Sequence, residues 1–374
     1  MGDETPGSEN RRLRAALGDR ARRLATCPSA QIAMTLLIGI AGGTIANFLR
    51  VPLAWILGPL VACTAGALMG LPLRPVPYGR EAAHPVIGLA IGLRFTPPVL
   101  AATAGLLPAM LVGTLYVIAV TTIAAFVLRP LAQVDRKTAF FGSAAAGMAE
   151  MAIIAHRVGG DPQAVSVVHA IRVTVIVLIV PLLVFAFGTD EGIQEPVTAE
   201  QGGALELVVL LALAVSSSVL LSRTRLPNPW FLGPIFLGAV AASTWTTATI
   251  PWPLLVAAQI VLGISLGSRF DRNLIRRLPR VAAAALLISG FLILASLLGA
   301  AGLSAATGLS FATSFLAIAP AGVTEMVLTA SIMHLDTAAV TAFHVMRIAF
   351  IHMTVLMTYK LYERLSLRLE KRKT

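Results

Sequence analysis

The chain repeats itself at one fixed spacing, and that limits its possible folds more than any other feature. Arg50, Pro52, Trp55, Gly58 and Pro59 return as Arg225, Pro227, Trp230, Gly233 and Pro234. Gly88, Gly92, Arg94 and Phe95 return as Gly263, Gly267, Arg269 and Phe270. Gly147, Glu150, Met151, Asp161, His169 and Arg172 return as Gly322, Glu325, Met326, Asp336, His344 and Arg347. Each pair lies 175 positions apart, so the two halves align without a gap. So long a period is a duplicated unit, not the short repeat of a solenoid.

What the unit is made of follows from its apolar runs. Mean hydropathy is +0.83, and only 13% of residues are charged, about half the ~25% of soluble domains. Segments near the ~20 residues needed to cross a ~30 Å hydrocarbon core recur throughout. In the first half they are Ile32–Phe48, Ala54–Met69, the short Pro85–Leu93, Val99–Leu128, Thr138–Ala155 and Ala164–Phe187. In the second they are Leu205–Leu221, Trp230–Trp245, Leu254–Ser268, Val281–Leu303, Leu309–Ile332 and Ala338–Tyr359. This pattern predicts an all-α, polytopic protein of a bacterial cytoplasmic (inner) membrane, with the lipid bilayer as its first partner.

Charge then orients it. The net charge of +11 is concentrated at the ends and in short loops, which is a topology signal and not a nucleic-acid surface. Six arginines between Arg11 and Arg23 precede the first span, and Lys360, Arg364, Arg368, Lys371, Arg372 and Lys373 follow the last. Both termini are therefore expected in the cytoplasm. Residues 1–29 form a basic segment with no apolar core, so they are not a secretory signal. A first membrane repeat follows at 30–187 and a second at 205–360, and a basic tail closes the chain at 361–374. The linker 188–204 carries Asp190, Glu191, Glu195 and Glu200 without a Lys or Arg, and is expected outside.

An inside start and an outside linker require an odd number of crossings per half, so one of six segments does not span. The fifth is the candidate, broken at Ala146-Gly147 and at Pro320-Ala321-Gly322. Treating each as a re-entrant hairpin leaves Arg50 and Arg94 outside. It places Arg74, Arg80, Arg129, Arg136, Lys137, Arg157, Arg223, Arg225, Arg269, Arg272, Arg276, Arg277 and Arg280 inside. Letting all six segments span would put ten of these fifteen outside. The expectation is ten crossings in two five-helix repeats of opposite orientation. Each repeat contributes a broken helical hairpin, and the tips meet near the bilayer midplane. Irregular backbone at that depth must line a cavity or be buried in protein, and inverted repeats with broken elements mark transporter binding sites.

The ionisable residues gather at those tips. Past each turn a half-helix opens with unpaired N–H groups and a positive dipole end, which suits an anion. The candidate solute-binding residues are Ser143, Gly147, Glu150, His169 and Arg172, with Gly322, Thr324, Glu325, His344 and Arg347. Glu150 and Glu325 read as proton carriers or cation ligands, or as dipole partners that pair with an arginine. His169 and Arg172, like His344 and Arg347, share a helix face and can hold an anion through a bidentate fork or pair with a glutamate. Asp161-Pro162 and Asp336-Thr337 are ordinary helix starts. On this reading Arg347→Ala and Glu325→Ala each abolish flux and leave the protein folded.

Other motifs read as structural. The Trp55 and Trp230 segments are interfacial anchors with close packing at Gly, and the two Gly-x-x-x-Gly pairs are helix contacts. Cys27 and Cys63 have neither disulfide nor metal-ligand spacing. His84, His156, His334 and His352 share no ligand spacing. No P-loop, dinucleotide fingerprint or nucleophile elbow is present. The chain is read as neither an enzyme nor a cofactor protein, with H+ or Na+ as a coupling ion.

Ala-Gly-Met-Ala-Glu-Met at 146–151 and Ala-Gly-Val-Thr-Glu-Met at 321–326, each followed by a His-x-x-Arg helix, resemble the duplicated domain of the membrane AbrB family. The resemblance covers nearly everything after residue 30. The family's usual hairpin is Pro-Gly-Gly-x-x-Glu-Met; here the first copy lacks the Pro and both replace a Gly. Such proteins are labelled AbrB-like regulators or ammonia monooxygenases. A copper oxygenase needs a His-rich cluster that this sequence does not show. A DNA-binding regulator needs a soluble basic module, and no direct nucleic-acid contact is expected. The leading expectation is ion-coupled transport of a small anionic organic solute, by a chain that can pair as a homodimer. The alternatives are a membrane-embedded regulator and, behind it, a membrane monooxygenase.

Overall fold

A computed structural model describes residues 27–187 and 203–371, apart from 225, 227, 245 and 247. The basic N-terminal cluster, the four acidic linker residues, Arg225 and the last three residues lie outside the described ones. Sixteen helices and no strand are found among the described residues.

The first half runs α1 (Pro28–Phe48), α2 (Ala54–Met69), α3 (Gly79–Gly92), α4 (Pro97–Gly105), α5 (Leu107–Ala132), α6 (Arg136–Ser143), α7 (Met148–Arg157) and α8 (Pro162–Phe187). The second runs α9 (Ala204–Ser222), α10 (Pro229–Thr244), α11 (Trp252–Gly267), α12 (Arg272–Arg277), α13 (Pro279–Thr307), α14 (Phe311–Ile318), α15 (Val323–Ile332) and α16 (Thr337–Lys371). Every helix of the first half has a counterpart 175 positions on. For α2, α6 and α7 both ends coincide with those of α10, α14 and α15.

Two segments break where proline forces it. The expected span Val99–Leu128 is two helices, because Pro108 has no N–H to continue the ladder across Gly105-Leu106. Pro97 and Pro98 open α4, which meets α3 at 89°. Among the described residues, seven helical segments are long and apolar enough to cross a membrane: α1, α5, α8, α9, α13, α16, and α11 taken with α12. The chain is a multi-pass helical membrane protein. An eighth crossing exists if the bent pair α3–α4 is one span. At 1.5 Å per residue, the 16-residue α2 and α10 are only ~24 Å long. The expected ten crossings would need both.

The halves interlock reciprocally. Helix α2 packs on α11 and α3 on α10; α5 packs on its own counterpart α13; α5 meets α16 as α13 meets α8. Close approach depends on small residues. A Cβ at Gly88 would strike the carbonyl oxygen of Phe231, and one at Gly263 the carbonyl oxygen of Ile56, which is the same contact seen from the other half. Gly92 against Ile235 and Gly267 against Leu60 repeat it one turn on. A residue pair that contacts in both directions is the mark of a twofold relation.

Each broken segment is a true hairpin. Helix α6 ends at Ser143, the chain turns through 144–147, and α7 returns along it. The feet are tied together, since the Asp161 N–H donates to Thr138 Oγ1 at 2.8 Å. The second copy makes the same bond from Asp336 to Thr313 at 3.4 Å.

Candidate functional site

The His-x-x-Arg pairs hold the hairpins from behind. The first arm of each hairpin ends in carbonyls that have no helical partner. Arg172 Nη1 donates to the carbonyl oxygens of Ser143 (2.7 Å) and Ala144 (2.9 Å). His169 Nε2 donates to the Phe141 carbonyl at 2.9 Å, and its Nδ1 accepts from Arg172 Nη2 at 3.1 Å. A carbonyl only accepts and a guanidinium only donates, so these partners fix His169 as the neutral Nε2–H tautomer. The second half repeats the arrangement. Arg347 donates to Ala319 (2.7 Å) and Ala321 (2.9 Å), and His344 lies between Leu316 O (2.9 Å) and Arg347 Nη2 (3.0 Å). Among the described residues neither arginine is ion-paired to Glu150 or Glu325, so the Arg–Glu pairing weighed from the sequence gives way to arginine–carbonyl capping. Both Nε atoms stay buried without a partner.

The two tips line one cavity of about 360 Å³. Eight of the ten sequence-predicted residues reach it: Gly147, Glu150, His169, Arg172, Gly322, Thr324, Glu325 and Arg347. Ser143 and His344 are fully buried and do not. The N-caps of α7 and α15 are Gly147 and Gly322, and neither helix start carries a side-chain cap. Glu150 and Glu325 occupy the third position of these helices. The Glu325 carboxylate folds back over Gly322, in the space a side chain there would need.

The two tips are not equivalent. Glu325 is buried, whereas Glu150 is half-exposed and its Oε2 lies 3.0 Å from His352 Nε2. Arg269 is within electrostatic reach of Glu325 on one side and Arg80 on the other.

Four polar lining residues were not among the site residues proposed from the sequence: Arg80, Asn228, Arg269 and His352. Arg269 carried a signal, as the counterpart of Arg94 in a repeated motif. Arg80 lies in the first turn of α3, where the helix dipole opposes a cation by about 0.3–1 kcal/mol. Among the described residues, neither Arg80 nor Arg269 has an ion-pair or hydrogen-bond partner. Two unpaired guanidiniums therefore repel one another beside a polar cavity. With Arg172 and Arg347, four guanidiniums face two carboxylates there. Such a cavity favours an anion.

A multi-pass helical fold with paired hairpins around one positively charged cavity defines the class. The sequence profile of the family described as transition state regulatory protein AbrB matches residues 55–363, and the chain belongs to that family. It is 26% identical over 339 residues to an uncharacterized Bacillus subtilis (strain 168) protein, YhjN, covering 84% of this chain and 88% of that one. It is also 26% identical over 308 residues to a protein of Escherichia coli (strain K12) named putative regulator AbrB, covering 82% of this chain and 88% of that one.

Proposed function

We propose that the protein is an ion-coupled secondary transporter of a small organic anion, set in the bacterial inner membrane with both termini in the cytoplasm. The supporting observation is the cavity itself, with two glycine-started half-helices from opposite halves and two guanidiniums that have no hydrogen-bond or ion-pair partner among the described residues. In this reading Arg80 and Arg269 bind the solute directly, the starts of α7 and α15 supply N–H groups, and Arg172 and Arg347 keep the hairpins in shape. The repeats are inverted, with α2, α10 and the bent α3–α4 segment completing ten crossings inside a protein-lined slab.

Asymmetry supports a moving site. Arg80, Asn228 and Arg269 line the cavity, but their counterparts 175 positions away, Leu255, Leu53 and Arg94, do not. All three lining residues belong to loops or helix ends assigned to the cytoplasmic side. The cavity then opens inward, and the exchange of roles between the halves gives an outward state.

Uptake of radiolabelled small organic acids into proteoliposomes tests the reading. Arg80→Gln and Arg269→Gln are each expected to weaken solute affinity about tenfold, the ~1.4 kcal/mol of a lost charge-assisted contact. Full-affinity uptake in both variants would remove them from the site. A second reading, a membrane regulator that senses the same anion, draws on the name of the Escherichia coli relative. Anion binding without flux would favour it.

A further inference from the structure

We infer that the cavity binds an exchangeable proton between Glu150 and His352, and that this proton travels with the anion. The inference rests on the transport reading and deepens it by naming the coupling ion and its site.

The pair has features that a purely structural contact does not need. Glu150 comes from the first hairpin and His352 from the last helix, so the contact at 3.0 Å joins the two halves inside the cavity. Both side chains line the cavity and are about one-third exposed (37% and 30%), although they sit among membrane helices. Neither is held by the hairpin network that fixes His169 and His344. His352 Nδ1 and Glu150 Oε2 are both buried polar atoms, so the pair's titrating groups face the protein interior and the cavity, not open solvent. The pair also exists once. The counterpart of Glu150 is Glu325, but the counterpart of His352 is Val177, so the pair has no copy in the other half.

The surroundings choose the ion. The charged and titratable groups facing the pair across the cavity are Arg80, Arg172, Arg269, Arg347, Glu325 and the neutral His169. Four guanidiniums against two carboxylates leave an excess of two positive charges, which repels sodium. A proton needs only a lone pair. It adds to the imidazole and converts a carboxylate–imidazole pair into a carboxylate–imidazolium pair, and no other bond changes. The excess then rises to three, so the anion binds more tightly. By reciprocity the bound anion tightens the proton, and the two cross in the same direction. The coupling is symport.

The test uses the full chain in proteoliposomes with a pH dye trapped inside and succinate and citrate as radiolabelled probes. The wild type is expected to acidify the interior as the probe enters, at a fixed ratio of protons to anion. In His352→Gln and in Glu150→Gln the protons moved per anion are expected to fall at least several-fold, and anion affinity to lose its dependence on pH. A melting curve in detergent accompanies each variant, and the conservative Glu150→Asp is expected to regain part of the ratio. Probe entry without internal acidification, or an unchanged ratio in both Gln variants, overturns the proton site and leaves transport standing. No entry of any probe overturns both.

Discussion

Arg172 and Arg347 carry the largest burden of any single residues. Each serves two or three carbonyls at the turn of a hairpin and fixes the tautomer of a histidine. Arg347→Ala would leave buried acceptors unsatisfied at about 1–3 kcal/mol each. It is therefore expected to lower the melting temperature in detergent, and not to act on flux alone as the sequence suggested. Arg347→Lys should not restore it, since a point charge cannot reproduce the planar fork. A melting curve unchanged in Arg347→Ala would contradict the capping role. The positions of these arginines were legible in the sequence because both copies carry them. Their partners were not, because spacing brings an arginine to the tip without saying whether a carboxylate or a carbonyl meets it there. Arg80 and His352 were hidden for the opposite reason. Their counterparts are Leu255 and Val177, so the repeat that revealed the rest of the site passed over them.

At the scale of elements, helix contacts between the halves depend on glycine. The chain approaches a facing carbonyl at Gly88 and at Gly263, with no room for a side chain. Gly88→Ala and Gly263→Ala are each expected to cost about 1–3 kcal/mol through forced displacement of packed backbone. Gly290→Ala, at a helix position with open space around it, should cost nothing and gain helix propensity. Thermal unfolding followed by circular dichroism ranks the three, and equal effects would remove the special status of the two contact glycines. The Gly-x-x-x-Gly pairs announced these contacts from sequence. The hairpin turns were equally legible, since Gly and Pro interrupt an apolar run at the same offset in both copies. The break at Leu106 was not, because a single Pro in an apolar run of thirty residues fits equally well at the start of a second helix.

At the scale of the molecule, the duplication and the charge pattern predict where the ends lie. A cysteine at position 195 should react with an impermeant maleimide from outside, and one at 371 only after the cytoplasmic face is exposed. Ion pairs and bonds agree on one shared face. Glu370 near the C-terminus bonds Arg129 and Arg136, Arg280 bonds Gln133, and Arg272 reaches the Met69 carbonyl at 3.2 Å. These contacts put residues 69, 129–136, 272–280 and 370 at one end of the molecule, which the charge pattern expects to face the cytoplasm.

Binding at a shared site requires that the two hairpin tips, 175 residues apart in sequence, border the same chamber. Spin labels on Ala146→Cys and Ala321→Cys, in a chain with Cys27 and Cys63 replaced, measure that separation in frozen solution. Strong mutual broadening of the two spectra is the predicted result. Two sharp spectra with no dipolar interaction would contradict it.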